Sequence, residues 1–230
     1  MKILHLRNFP ILEQLKIEEA LLRCSSENFC LINEGSSPAI VLGISGKVEE
    51  LVDQKKAREK KIPLIRRFSG GGTVVVDEST LFVTFICQRE SFPAFPEPIL
   101  KWTEELYTPL FDHPDFRVQE NDYVFGKRKF GGNAQYLKKE RWLHHTSFLW
   151  DYMPEQMSLL LHPKKTPIYR NGRGHEEFLC KMREFVPNRE EFIKQLKQEL
   201  GKRYKIQDIV EEDISSLLRI PHRQATVVLG

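Results

Sequence analysis

Cysteine is scarce in this chain. Cys24, Cys30, Cys87 and Cys180 are spaced like neither a zinc site nor a paired disulfide framework. Long apolar runs are missing as well, and none approaches the ~20 residues that a membrane-spanning helix needs. Residues 1–8 carry charge and no extended apolar stretch, so no secretory leader is expected. Charge does not lean either: 35 Lys and Arg stand against 32 Asp and Glu, a net +3. A nucleic-acid binder would gather its excess basic residues on one face. Here Lys55, Lys56, Arg58, Lys60 and Lys61 are mixed with acids along one expected helix, which reads as a solvated surface. These absences predict a protein of the cytoplasm or another reducing compartment, with neither membrane nor nucleic acid as partner.

What is present is a large apolar complement, 40% of residues with fifteen Phe, enough for a sizeable core at this length. Residues 11–23 place Leu12, Leu15, Ile17, Ala20, Leu21 and Leu22 at helical spacing. Further helices are expected over 48–60, 99–111, 153–161 and 189–204. Strands are expected over 29–32, 39–44, 62–65, 73–76 and 81–87, then a meander over 116–118, 123–125, 129–130, 134–137 and 142–150. Residues 91–98 read as a rigid connection rich in Pro and Phe, 162–174 as a long loop, and 205–230 show too little pattern to place. Strands with interspersed helices and little βαβ regularity predict an α+β fold, a central mixed and mostly antiparallel sheet flanked by helices. One domain is expected across residues 1–230.

Two glycine-bearing stretches carry chemistry. The first is Arg66-Arg67-Phe68-Ser69-Gly70-Gly71-Gly72-Thr73, between two expected strands. Three glycines free the backbone for positive φ, and successive N–H groups in such a turn form a concavity for anions beside two arginines. A plain hairpin turn is the simpler reading of the spacing. A P-loop is excluded, because no Gly-Lys-Ser/Thr follows and the chain enters a strand. The second stretch runs from Glu120 to Gln135 and holds Asn121, Asp122, Lys127, Arg128, Lys129, Gly131, Gly132, Asn133 and Ala134. Its basic residues taken alone read as solvated turn charges. Lys129, just before Phe130 and two small residues, stands apart as a candidate to line a cleft.

Taken together, RRFSGGGTVVVD, GKRKFGGNAQ and LHHTSFLWD resemble the lipoate–protein ligase A family, whose fold biotin–protein ligases share more distantly. The similarity runs from about residue 15 to 204. It implies a central mixed sheet flanked by helices. It also implies that lipoate and ATP, with magnesium, give lipoyl-adenylate and pyrophosphate, and that the acyl group then passes to a lysine of a lipoyl carrier domain. Such carriers are the E2 component of 2-oxoacid dehydrogenases and the glycine cleavage H protein. By the resemblance, Lys129 is the catalytic cation between acyl oxygen and phosphate. Arg66, Arg67, Ser69, Gly70, Gly71, Gly72 and Thr73 would cradle the acyl and phosphoryl groups. Asn121, Gly131, Gly132, Asn133, Ala134 and His145 would bind substrate or adenylate, and Asp122 would carry magnesium. For His144 and His145 a structural role on the strand stands equally open.

The pattern is broken in four places. Val76 stands where the family usually has His, residues 43–47 lack Gln and Asn, and Thr146 replaces a glycine after the His pair. The accessory C-terminal domain of many two-domain ligases is expected to be absent, so a separate accessory protein is a candidate partner. This leaves a second reading, an ATP-independent octanoyl- or lipoyl-transferase between carrier proteins, with Cys180 in the basic segment 167–186 as alternative nucleophile. Cys180 also suits a buried helix position. A third reading is a non-catalytic acyl-adenylate binder, against which the retained Lys129 argues.

Overall fold

The computed structural model describes residues 1–89, 95–162 and 166–229. The chain opens with strand β1 (Lys2–Arg7), helix α1 (Ile11–Cys24), β2 (Phe29–Glu34), β3 (Ala39–Leu42), α2 (Val48–Leu51), α3 (Gln54–Glu59), β4 (Leu64–Arg66) and β5 (Val74–Val76). It continues with β6 (Thr80–Gln88), α4 (Pro96–Phe111), β7 (Phe116–Gln119), β8 (Asp122–Phe125), β9 (Arg128–Leu137) and β10 (Arg141–Leu149). Helices α5 (Pro154–Met157), α6 (His175–Phe178) and α7 (Arg189–Arg203) precede β11 (Gln207–Ile209), α8 (Glu211–Leu218) and β12 (Val227–Leu229).

Eight strands form one sheet in the order β11-β1-β2-β6-β10-β9-β8-β7, and four form a smaller one, β12-β4-β3-β5. In the large sheet β1 pairs in parallel with β2 and β11, and the other pairs are antiparallel. The expected α+β architecture, a mixed and mostly antiparallel sheet flanked by helices, is therefore the observed one.

Side-chain alternation divides the large sheet into two faces. One face carries Ile32, Phe85, Phe130, Trp142 and Phe148 against Leu106, Tyr107 and Phe111 of α4 and Phe192, Leu196 and Leu200 of α7. The other carries Leu31, Ile86 and Leu143 against Ile17, Leu21 and Leu22 of α1. The first turns of α1 serve the small sheet as well, where Ile11 and Leu15 meet Ala39, Val41, Ile65 and Val76. Helix α1 is thus wedged between the sheets, because its apolar stripe is wide enough to face both.

Several elements differ from expectation for identifiable reasons. The helix expected over 48–60 is two: Val52 leaves the helix to bridge Leu160, and Asp53 starts α3 by accepting a hydrogen bond from Lys56 N at 3.1 Å. The separate strands at 129–130 and 134–137 are one strand, β9. The helix expected over 153–161 is the single turn α5. The unplaced tail is ordered by partners far away in sequence. Strand β11 lies beside β1, β12 pairs with β4, and Glu19 of α1 accepts from Ala225 N and Thr226 N at 3.0 and 3.1 Å. The expected connection at 91–98 and the loop at 162–174 lie partly outside the described residues. Among the described residues no helix is long and apolar enough to cross a membrane.

Candidate active site

The glycine stretch is not a hairpin. Strands β4 and β5 do not pair with each other; each pairs with β3, one on either side. Residues 67–73 therefore cross over the end of β3, and the crossing is tight. A Cβ on Gly43 would lie 2.3 Å from Gly71 O, and Gly71 itself has φ +99°, a conformation that side chains rarely adopt. A Cβ on Gly71 would also come within 3.3 Å of Asn133 O and 3.5 Å of Ala134 Cβ. That contact brings the two chemistry-bearing stretches together: the glycine turn lies directly on β9.

Arg67 faces inward and holds this turn from within. It is 4% exposed, and its guanidinium donates to Gly70 O at 2.7 Å, Gly72 O at 2.8 Å and Val41 O at 3.4 Å. Its donors go to carbonyls of the turn and of β3, so in this structure it shapes the cradle from beneath. Burial pulls its pKa down to about 10, against the support of nearby Glu18, so the charge persists at neutral pH. Ser69 is buried, and its carbonyl accepts from Ile44 N at 3.0 Å, so it anchors the turn. Arg66 and Thr73 are the residues with capacity left. Arg66 donates to Ile44 O at 3.4 Å, but its Nε and the Thr73 hydroxyl are buried without a partner among the described residues. Orphaned donors beside open glycines fit an anionic ligand, since an unsatisfied buried polar group is costly. Around Gly70 and Gly72 a Cβ would meet nothing within 4 Å.

Lys129 reaches the site through an irregularity in β9. Asp122 pairs with Gly132 and Tyr123 with Gly131, but Val124 pairs with Lys129. One extra residue has been inserted in β9, a β-bulge at Phe130 and Gly131. Strict alternation would put Lys129 on the face of Gly131, among the aromatic rings. The bulge returns it to the face of Gly132 and Asp122. There the Lys129 ammonium lies 2.7 Å from Asp122 Oδ1 and 3.3 Å from the position of a Cβ on Gly132. Its side chain is 27% exposed, and Asp122 is nearly covered. Asn133 closes the arrangement, donating to Asn121 O at 2.5 Å.

Both oxygens of Asp122 have protein partners. Oδ1 holds Lys129 at 2.7 Å, and Oδ2 accepts from the Tyr169 hydroxyl at 2.9 Å. Among the described residues no group of three His, Cys, Asp or Glu could hold a metal ion. Magnesium is bound through carboxylates and phosphates, and a carboxylate already neutralised by an ammonium offers little. In this structure Asp122 is the partner of Lys129, and a magnesium role for it would have to share the carboxylate with that ammonium.

His145 is also turned inward. Its Nδ1 lies 2.9 and 3.0 Å from the two oxygens of Glu18, which accepts in addition from Thr84 Oγ1 at 2.7 Å and Gln14 Nε2 at 2.8 Å. His144, on the opposite face, meets the Tyr123 hydroxyl at 2.8 Å and Gln135 Nε2 at 3.1 Å. Burial, with His145 adjacent, lowers its pKa to about 3. Both histidines have structural partners, and His145 is the register partner of Ala134, which meets Gly71.

Cys180 does not meet the requirements of a nucleophile. It is 1% exposed, its Sγ lies 3.6 Å from Arg128 O, and burial raises the thiol pKa to about 12 despite Arg128. The basic residues meant to activate it are occupied elsewhere. Arg173 donates to Lys127 O and Tyr169 O at 2.9 Å each, Arg170 to Arg173 O at 2.9 Å, and both lie over the Phe178 ring.

Two residues escaped the sequence reading. Glu18 sits on the apolar stripe of α1 between Leu15 and Leu22, and a carboxylate on a buried stripe is a signal in itself. Tyr169 lies in the segment singled out for its arginines and cysteine, and nothing in its spacing points to Asp122.

Comparison with known proteins places the chain in a family. The model of the lipoyl protein ligase A/B catalytic domain matches residues 10–201. The inactive lipoate–protein ligase 2 of Plasmodium falciparum is 30% identical over 234 aligned positions, covering 74% of this chain and 60% of that protein. The lipoate–protein ligase LplJ of Bacillus subtilis is 28% identical over 185, covering 78% and 53%. The chain thus spans about half the length of these two relatives. In fold it is similar to a lipoate–protein ligase A bound with ATP, at TM-score 0.76, 19% identity and 95% and 92% coverage of the two chains. A putative lipoate protein ligase from T. acidophilum with bound lipoic acid gives 0.76, 18%, 95% and 92%. With most of its length matched by that model, the chain belongs to the lipoyl protein ligase A/B catalytic domain family.

Proposed function

We propose that the protein activates lipoate with ATP and passes the lipoyl group to a lysine of a lipoyl carrier domain. The observation that carries this reading is the bulge in β9, which sets the Lys129 ammonium on one face with Asp122 and Gly132, on the same strand whose Asn133 and Ala134 meet Gly71 of the glycine turn. In the first step a carboxylate oxygen of lipoate attacks the α-phosphorus of ATP, and pyrophosphate leaves. Two anions must approach for that to happen. A compact ammonium and fixed N–H donors lower the barrier by meeting the charge without reorganising. Lys129 supplies the cation, the turn at Gly70 to Gly72 supplies backbone donors, and Arg66 and Thr73 supply unspent side-chain donors. In the second step the carrier lysine, as the free amine, attacks the acyl carbon, and AMP leaves. Lipoyl domains as partners are supported by a structurally similar bi-partite lipoate protein ligase from Thermoplasma acidophilum, described together with its E2 lipoyl domain.

A second reading, direct acyl transfer from an acylated carrier without ATP, draws support from one observation: both Asp122 oxygens already have a protein partner, Lys129 on Oδ1 and Tyr169 on Oδ2, so a metal accompanying a nucleotide would have to share them. The burial of Cys180 argues against its thioester version. Incubating the protein with a lipoyl domain, lipoate and ATP–magnesium, then weighing the domain, tests the first reading. A mass gain that requires an acylated carrier as donor, and none from lipoate and ATP, would replace it with the second. Lys129→Ala is expected to abolish the gain while leaving the fold intact.

A further inference from the structure

Tyr169 is held in place from two sides. Its backbone N donates to Glu120 Oε1 at 3.1 Å, and its carbonyl accepts from Arg173, which also grips Lys127 O in the turn between β8 and β9. The ring packs against Phe178 at 5.2 Å. So fixed, the hydroxyl donates to Asp122 Oδ2 at 2.9 Å, while Oδ1 holds Lys129 at 2.7 Å.

We infer that Tyr169 is a positioning residue that sets how firmly Asp122 holds Lys129 during adenylate formation. The inference rests on the reading of Lys129 given above. Asp122 is 6% exposed, so little water serves its charge. An incoming acyl carboxylate competes with Asp122 for the same ammonium. With the Tyr169 hydroxyl bonded to it, Asp122 keeps one strong donor when Lys129 turns toward the substrate. Without that donor the carboxylate depends on Lys129 alone and draws it back. Burial and the adjacent carboxylate hold the hydroxyl well above its ordinary pKa, so it stays a donor across the working pH range.

Tyr169→Phe keeps the ring and removes only the donor. In lipoate-dependent exchange of pyrophosphate into ATP, kcat is expected to fall about tenfold, as for a hydrogen bond to a charged group. KM for lipoate and ATP should stay within about twofold, because substrate contacts are untouched. In an Asp122→Asn background the same change should alter kcat less than about twofold, since no charge competes for Lys129. A raised KM at constant kcat, no change, or an equal loss in the Asn background overturns the inference. A wild type that exchanges nothing overturns the functional reading instead. The decision then falls to acetic anhydride labelling of Lys129 mapped by mass spectrometry. A slower rate in Tyr169→Phe supports the inference, and an unchanged rate overturns it.

Discussion

Glu18 and His145, 127 residues apart in the chain, meet in the interior with the imidazole Nδ1 against both carboxylate oxygens. Glu18 is fully buried and also serves Thr84 and Gln14, so it ties α1 to β6 and β10. Removing it takes a shared acceptor from Gln14, Thr84 and His145 in a dry place, leaving Thr84 and His145 to each other at 3.0 Å. Glu18→Ala is expected to cost about 2–3 kcal/mol in urea unfolding, as for buried polar groups left without their acceptor. A loss below about 1 kcal/mol, the size of a surface contact, would contradict that role.

Arg67→Lys tests whether the glycine turn is built from inside. A lysine keeps the charge but cannot span Val41, Gly70 and Gly72 with one ammonium. Stability should fall by about 2 kcal/mol for the carbonyls left unserved, and KM for the acyl acid should rise about tenfold as the turn loosens. Unchanged KM alongside reduced stability would separate the turn from the binding of substrate.

His144 gives a pH signature. Its folded-state pKa lies near 3, depressed by burial, against an ordinary value near 6.5 in the unfolded chain. A depressed value contributes stability that is present above the unfolded pKa and lost as pH falls toward the folded one. Between pH 6.5 and 3 this single group should add up to ~1.4 kcal/mol of destabilisation per pH unit. Chemical denaturation from pH 7 to 4 of wild type and His144→Asn should show a shallower slope in the variant; parallel slopes would place the titration elsewhere.

Cys180 should be chemically silent. With its thiol pKa raised to about 12, native protein treated with a thiol-selective reagent should be labelled there only after unfolding. Transfer activity of Cys180→Ser should stay within about threefold of wild type, the change expected from repacking alone. Rapid native labelling mapped to Cys180 would reopen the thioester route.

Much of this molecule was legible from residue order. The apolar spacing of α1 and α7, the meander from β7 to β10 and the two glycine stretches all follow from local pattern, because the forces that set them are local. Pairings between distant segments were not. That β4 and β5 flank β3 depends on which strand ends meet, and Val227–Leu229 becomes a strand only because β4 offers an edge. Side-chain direction was hidden too. Arg66 and Arg67 read alike, yet one keeps unspent donors beside the turn and the other is sealed beneath it. Asp53 could have been noticed, since an Asp inside a helical pattern is also a start signal.

The extra residue in β9 makes the chemistry a matter of parity. Deleting Lys127 or Arg128 would let the hairpin close by using up the bulge, and strict alternation would then send the ammonium to the opposite side, among stacked rings. Deleting Phe130 instead removes the bulge from the other side and leaves Lys129 across from Val124, on its own face. What decides the chemistry is therefore where a length change falls, before this lysine or after it, a distinction that can be read from any collection of relatives' sequences by counting.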